Sequence, residues 1–265
     1  MSEVQAAHRQ LPFTVRFDWG HDGALAVAPG AALAVVVDVL CFTTCVSVAV
    51  DRGAEVLPYG WNDSTAADFA AQQEAVLAGR RGGNSVSLSP PSLRDAATLD
   101  RVVLPSPNGS ALAHSLAGAV PRVVAVCLRN ARATADWAAR NLPPAAVIAV
   151  IAAGEKWPDG GLRPALEDQL GAGAFLASLP EHRRAGFSPE ARWAMDAFAA
   201  AGPRLEETLL ECSSGRELVF GGYQEDVEIA SELNRSAAVA LLDDGAFRRA
   251  GAGHAWGAGQ ARGPA

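Results

Sequence analysis

The sequence has no apolar stretch long enough to cross a bilayer. Its longest runs, such as Leu33–Val37 and Ala145–Ala153, fall well short of the roughly 20 residues a span needs. The first ten residues, Met1 to Gln10, are polar and lack an apolar signal core, so export is not expected and a cytoplasmic location is. Cysteine is scarce, at positions 41, 45, 127 and 212, and without export the four thiols are expected to be reduced. Cys41 and Cys45 share a helix face, but no second pair completes a zinc site, and packing as small hydrophobes accounts for each. Positive charge is also short, with 22 basic against 29 acidic residues and a formal net charge of −7. That balance argues against a nucleic-acid partner, whose footprint is a basic face. Lys156 is the only lysine.

What is present is apolar and patterned. Forty-nine per cent of the 265 residues are hydrophobic and 19% charged, which excludes disorder and fibrous repeats. Leu33 to Asp38 is a short β-branched run typical of a strand buried on both faces, followed by a helix from Phe42 to Asp51. Glu55 to Tyr59 reads as another strand. Asp63 is positioned to cap a helix running through Ala66, Phe69, Val76 and Leu77. Strands at Arg101–Leu104, Arg122–Cys127 and Ala146–Ala152 each precede a helical pattern, starting at Asn108, Asn130 and about Ala165. Gly79 to Pro91 is rich in Gly, Ser and Pro and reads as loop.

This alternation predicts an α/β fold with a mainly parallel sheet and helices on both faces. A single domain over 1–250 is expected, more helical in its C-terminal part. A small helical lobe near 181–215, a further strand at Ala237–Leu242 and a flexible tail over 251–265 complete that expectation.

In open parallel sheets, ligands bind outside the carboxyl ends of the strands. The polar residues there are Asp38 with Thr43 and Thr44, Ser106 through Asn108, Gly109 and Ser110, then Arg129 with Asn130. Gly154-Glu155-Lys156 and the Glu167-Asp168 pair follow the last strand. Carboxylates beside helix starts suit a divalent cation with a phosphate, since hard cations take oxygen ligands and helix N-termini offer free N–H groups. Each residue alone also suits helix capping or turn formation, and both readings stay open at this stage. Asp38 is the most pointed, because a carboxylate after a buried run needs hydrogen bonds or a metal. Two other patterns fail. Haloacid-dehalogenase phosphatases need a second aspartate where Leu40 stands, and Gly171-Ala-Gly173 falls inside a helix rather than at a dinucleotide-binding turn.

Taken in order, VVVDVLCFTTCVSVAVDRGA (35–54), NSVSLSPPSL (84–93), LPSPNGSALA (104–113), LRNARATADW (128–137), VIAAGEKWPDGGLRPALEDQLGAGAFLASL (150–179) and GYQEDVEIASELN (222–234) resemble the 2-phosphosulfolactate phosphatase family. The resemblance implies a Mg²⁺-dependent phosphatase releasing phosphate from 2-phosphosulfolactate to give 3-sulfolactate, toward coenzyme M. It implies site roles for Asp38, Asn108, Gly109, Asn130, Glu167 and Asp168, and adds Asp226. The assignment drawn from it makes Asp38 and Asp226 catalytic. Asp38, Glu167 and Asp168 would hold Mg²⁺ directly or through water, and Thr43, Thr44, Asn108, Gly109, Ser110, Arg129 and Asn130 would bind substrate. One departure stands out: the family pattern has arginine where Cys41 stands, so a bidentate anion donor is missing, and Arg129 is the expected replacement. The alternative is a non-catalytic binder of an anionic metabolite on the same fold. Self-association is left open, and neither nucleic acid nor membrane is expected as a partner.

Overall fold

The computed structural model describes residues 3–60, 64–83 and 85–251. Asp63, Asn84 and residues 252–265, on which parts of the capping, motif and tail expectations fell, lie outside the described residues. The main sheet is built from β1 (Val15–Trp19), β2 (Leu33–Val37), β3 (Glu55–Tyr59), β4 (Val76–Leu77), β5 (Arg101–Pro105), β6 (Val123–Val126) and β7 (Ile148–Ala152). A small hairpin, β8 (Glu155–Lys156) with β9 (Leu162–Arg163), stands apart, and β10 (Ala240–Asp243) and β11 (Ala246–Arg249) return to the main sheet.

The nine strands of the main sheet run β1-β7-β2-β6-β10-β11-β3-β5-β4. All pairings within β1-β7-β2-β6 and within β3-β5-β4 are parallel. The antiparallel hairpin β10–β11 joins these two parallel blocks, through β6 on one side and β3 on the other. The expected α/β class is therefore observed, with an antiparallel insert that the single run Ala237–Leu242 did not disclose.

Burial on both faces explains the composition of the central strands. Leu33, Val35 and Val37 of β2 enter one apolar cluster with Phe42, Val46, Ala135, Leu170 and Phe175 from the helices on that side. Ala34 and Val36 enter the other, with Ala24, Val27, Leu112 and Leu116. The two-residue side-chain period thus sends neighbours to opposite helix layers.

Two segments differ from their sequence pattern. The helix starting at Ser64 ends at Gln72, and Val76 and Leu77 form β4, pairing with Val102 and Val103. Glu74, with φ of 51°, breaks the helical path between them. Val15–Trp19 supplies an edge strand before the first expected one. In the C-terminal part, helices Leu205–Glu211, Ser213–Phe220 and Gln224–Ser231 pack on one another, and the last also meets the short helix Pro90–Arg94. That contact brings Asp226 to the loop that follows β4. Among the described residues, no helix is long and apolar enough to cross a membrane.

Candidate active site

Asp38 follows β2 directly, and two helix starts converge on its carboxylate. Oδ1 accepts the N–H of Phe42, 3.2 Å away, and Oδ2 accepts that of Gly109, at 2.8 Å. These are the first residues of helices Phe42–Asp51 and Gly109–Leu116, so one carboxylate takes unpaired N–H groups from two helix N-termini. Thr43 and Thr44 brace the turn. The Thr43 hydroxyl donates to the Asp38 carbonyl and that of Thr44 to the Val39 carbonyl, both at 2.7 Å.

Asp168 lies against the same turn. Its Oδ1 accepts the N–H of Val39 at 2.7 Å and its Oδ2 that of Gly154 at 2.8 Å, tying the ends of β2 and β7 to helix Leu166–Ser178. Glu167, also buried, accepts from the Cys212 thiol, Sγ lying 3.4 Å from Oε2. Glu155, half-buried on the hairpin, accepts from Asn108 Nδ2 at 2.9 Å.

Four carboxyl groups thus crowd one edge of the sheet, and the proton affinities of Asp38, Glu155 and Asp168 reflect it. Burial, then the charge of Glu167, carries Asp38 up to about 6 against the hydrogen bonds from Phe42 and Gly109. Burial and the charge of Asp38 push Glu155 up to about 7. Asp168 is raised well above the usual carboxylate range by burial, then by Asp38 and Glu167. Burial likewise lifts the Cys212 thiol to about 12, so it faces Glu167 as a neutral donor.

A cation would relieve this repulsion, and the donors are the hard oxygens that Mg²⁺ prefers. Yet Asp38, Glu167 and Asp168 do not form a ready cage. Among the described residues no three His, Cys, Asp or Glu side chains are grouped to hold a metal. Both oxygens of Asp38 and of Asp168 already accept backbone N–H groups. The donor set therefore fits an ion held by one or two carboxylates, with water and phosphate filling the rest of its shell.

A second cluster adjoins the first through Cys41. Arg81 donates from Nε to Asp226 Oδ2 at 3.0 Å and from Nη2 to Cys41 Sγ at 3.2 Å. Ser89 donates to Asp226 Oδ1 at 2.5 Å. Burial raises the Cys41 thiol well above its ordinary value, which keeps it neutral against the guanidinium. Burial also raises Asp226, opposed by Ser89 and Arg81. Beside this cluster opens a cavity of about 400 Å³ lined by Gly79, Arg80, Arg81, Leu88, Ser106 and Pro107, among others. Ser106, on the cavity wall, also opposes the rise in the proton affinity of Asp38, which places the cavity beside the Asp38 end of the site.

Several expected substrate contacts are occupied by the protein itself. The Ser110 hydroxyl donates to the Leu104 carbonyl. The Asn130 amide accepts from Cys127 N–H and donates to the Ala125 carbonyl, closing its own turn. Gly109 N–H is held by Asp38, and the Asn108 amide by Glu155. Arg129 does not replace the missing arginine: its guanidinium pairs with Asp51 and Glu232. The guanidinium found against Cys41 is that of Arg81. Arg81 carries no sequence signal of a site, because its surroundings, Gly79 to Pro91, signal only turns. Glu155 stands at a strand end where the sequence assigns it no role, and Cys212 has the sequence signature of packing alone. All four cysteines are free and buried, as expected of reduced thiols.

The chain is similar over most of its length to known proteins. A "Probable 2-phosphosulfolactate phosphatase" of Thermus thermophilus is 33% identical over 233 residues, covering 82% of this chain and 92% of its own length. A protein of the same name from Deinococcus radiodurans is 30% identical, covering 83% and 91%. A "2-phosphosulfolactate phosphatase" of Methanothermobacter thermautotrophicus is 26% identical, covering 82% and 89%. The family model for 2-phosphosulpholactate phosphatase matches residues 25–245, spanning every strand of the main sheet except β1 and β11, and the chain therefore belongs to this family of phosphoric monoester hydrolases.

Proposed function

We propose that this chain is a Mg²⁺-dependent phosphatase acting on a small acidic phosphate monoester, 2-phosphosulfolactate or a close relative. The observation that carries this reading is the buried Asp38 carboxylate, fixed by two helix N-termini among Glu155, Glu167 and Asp168 and bordering a cavity of suitable size. Asp38 and Glu167 would hold the ion, with Asp168 acting through water. When bound, it would draw charge from the phosphoryl oxygens and offset the negative charge that substrate and carboxylates bring together.

The chain's own groups do the rest. Asp38 is oriented without a flexible arm, because both its oxygens and its backbone are tied down. Asp168 fixes the turns after β2 and β7, which keeps Asp38 and Glu155 facing one another. Glu155, with its affinity near neutrality, can carry a proton at its carboxyl oxygen for the departing alkoxide. Apolar packing behind Asp38 limits water to the cavity side.

A second reading, a metabolite binder without turnover, draws on the occupied oxygens of Asp38 and Asp168. Phosphate release from 2-phosphosulfolactate, measured with and without Mg²⁺ on wild type and Asp38→Asn, separates the two. Metal-dependent release lost in the variant supports the phosphatase. Saturable binding of the ester with no release by the wild type overturns it.

A further inference from the structure

The cavity beside Asp38 holds a pair of cationic side chains that the phosphatase reading leaves unused. Arg80 and Arg81 are consecutive, and both line its wall. Arg80 is exposed, whereas the Arg81 side chain retains 25% of its accessibility and is anchored from behind. Asp226, which is 2% accessible, holds Nε, and Ser89 holds the far oxygen of Asp226. The Cys41 sulfur accepts from Nη2. A guanidinium fixed along one edge, with its remaining nitrogen outside these bonds, is a preorganised donor for a planar or tetrahedral oxyanion.

The other buried arginines are engaged elsewhere. Arg16 donates to the Phe13, Val27 and Pro29 carbonyls, Arg183 to those of Leu142, Pro143 and Ala146, and Arg129 to Asp51 and Glu232. Ser106 also lines the wall and interacts with Asp38. A small ester with its phosphoryl group against Asp38 and Ser106 would then have Arg81, on the same cavity wall, as the cation for one of its remaining acid groups.

We propose that Arg81 is the specificity-determining residue for the substrate's second anionic group, a carboxylate or sulfonate, and that Asp226 is its positioning residue. This rests on the phosphatase reading for the identity of the first group, the phosphoryl, but not for the binding of an organic acid in the cavity. Asp226 is thereby removed from the catalytic role expected from sequence. Its carboxylate acts through Arg81.

Calorimetry with 3-sulfolactate, which carries both acid groups and no phosphate, tests the cavity without turnover. Wild type should bind it, and Arg81→Met should weaken binding by about tenfold or more, the scale of losing a charge-assisted contact. A wild type that does not bind it, or equal binding by both proteins, overturns the proposal. Kinetics then compare 2-phosphosulfolactate with phenyl phosphate, which has no second acid. The ratio of their kcat/KM values should fall about 30-fold in Arg81→Met, less in Arg81→Lys, and in Asp226→Asn through KM rather than kcat.

An unchanged ratio, with both esters losing equally, would make Arg81 a phosphoryl ligand or a structural residue and sink the idea. Thermal melts monitor folding. If Arg81→Met unfolds, the Arg81→Lys and Asp226→Asn binding and ratio measurements decide in its place. If wild type hydrolyses neither ester, the phosphatase reading fails, while calorimetry still decides the role of Arg81.

Discussion

Gly109 donates its backbone N–H to Asp38 Oδ2 at 2.8 Å, although 71 positions separate them in the chain. The approach leaves no room for a side chain. A Cβ at position 109 would lie 2.6 Å from that oxygen and 2.5 Å from Phe42 Cδ1. Gly109→Ala is therefore expected to push the carboxylate and the Phe42 ring aside. Overpacking of this kind costs about 1–3 kcal/mol. Phosphate release should fall by about tenfold or more while the protein still folds, as checked by steady-state kinetics and a thermal melt. Normal turnover in a folded variant would mean that the position of Asp38 is not critical.

Replacing Asp38 itself separates stability from activity. Burial and the neighbouring charge of Glu167 press against its ionised form, so the native state carries an unfavourable charge at neutral pH. The folded-state value is raised, so this cost is absent in acid and appears as the pH rises through it. Asp38→Asn should abolish phosphate release yet melt no lower than wild type at pH 7.5, the pattern expected where a site stores strain for function. A melting temperature several degrees lower would show that the hydrogen bonds from Phe42 and Gly109 outweigh the charge.

The strand ends were legible because a buried parallel strand leaves little ambiguity. Leu33–Val37 is apolar throughout and ends in three β-branched valines, and the next residue, Asp38, must fall at the sheet edge. The Glu167-Asp168 pair was legible for a similar reason, as first-turn acids following the strand Ile148–Ala152 and its loop. Arg81 was not. Its partners Asp226 and Cys41, and the Ser89 that holds Asp226, come from three segments, and only tertiary packing of helix Gln224–Ser231 on the Pro90–Arg94 helix brings them together. The β10–β11 hairpin was half-legible, since its second strand, Ala-Phe-Arg-Arg, has too few apolar residues to declare a strand without its partner. The polar residues read as substrate contacts show the converse: Ser110 and Asn130 occupy conspicuous turns because those turns need their hydrogen bonds.

Glu55 gives a pH dependence of opposite sign. Its carboxylate bridges Arg101 across the β3–β5 pairing and Arg248 on β11, accepting from Arg101 Nε at 3.0 Å and from Arg248 Nε at 2.6 Å. The Arg248 hydrogen bond is the main reason its folded-state affinity lies below the ordinary value of 4.5. Stability from this bridge is therefore present above pH 4.5 and lost as the pH falls through the folded value. All three side chains are about one-third exposed, so the contribution is expected at about 1 kcal/mol or less and should shrink in salt. Urea denaturation of Glu55→Gln against wild type should show a gap at pH 7 that narrows only below pH 4.5. A gap independent of pH would assign the effect to packing.

The paired glycines of helix Leu166–Ser178 face different neighbours, which makes them separable. A Cβ at Gly173 would run into the Ala194 carbonyl oxygen and lie 2.7 Å from Phe198 Cβ, where helix Pro189–Ala201 crosses. A Cβ at Gly171 would instead lie 2.5 Å from Val39 Cγ2 and 2.9 Å from Val37 Cγ1. Val39 is the residue whose N–H holds Asp168, next to Asp38. Overpacking costs about 1–3 kcal/mol, against a helix-propensity gain of about 1 kcal/mol for alanine over glycine, so both alanine variants should melt lower by a few degrees. Gly171→Ala should also lower kcat/KM, because the shifted Val39 carries Asp168 and the Asp38 turn with it. Gly173→Ala, displacing an outer helix, should leave kcat/KM within about twofold, the scatter expected of a distant, uncoupled site. Equal kinetic losses in the two variants would show that the outer helix is coupled to the carboxylate cluster as tightly as the sheet is.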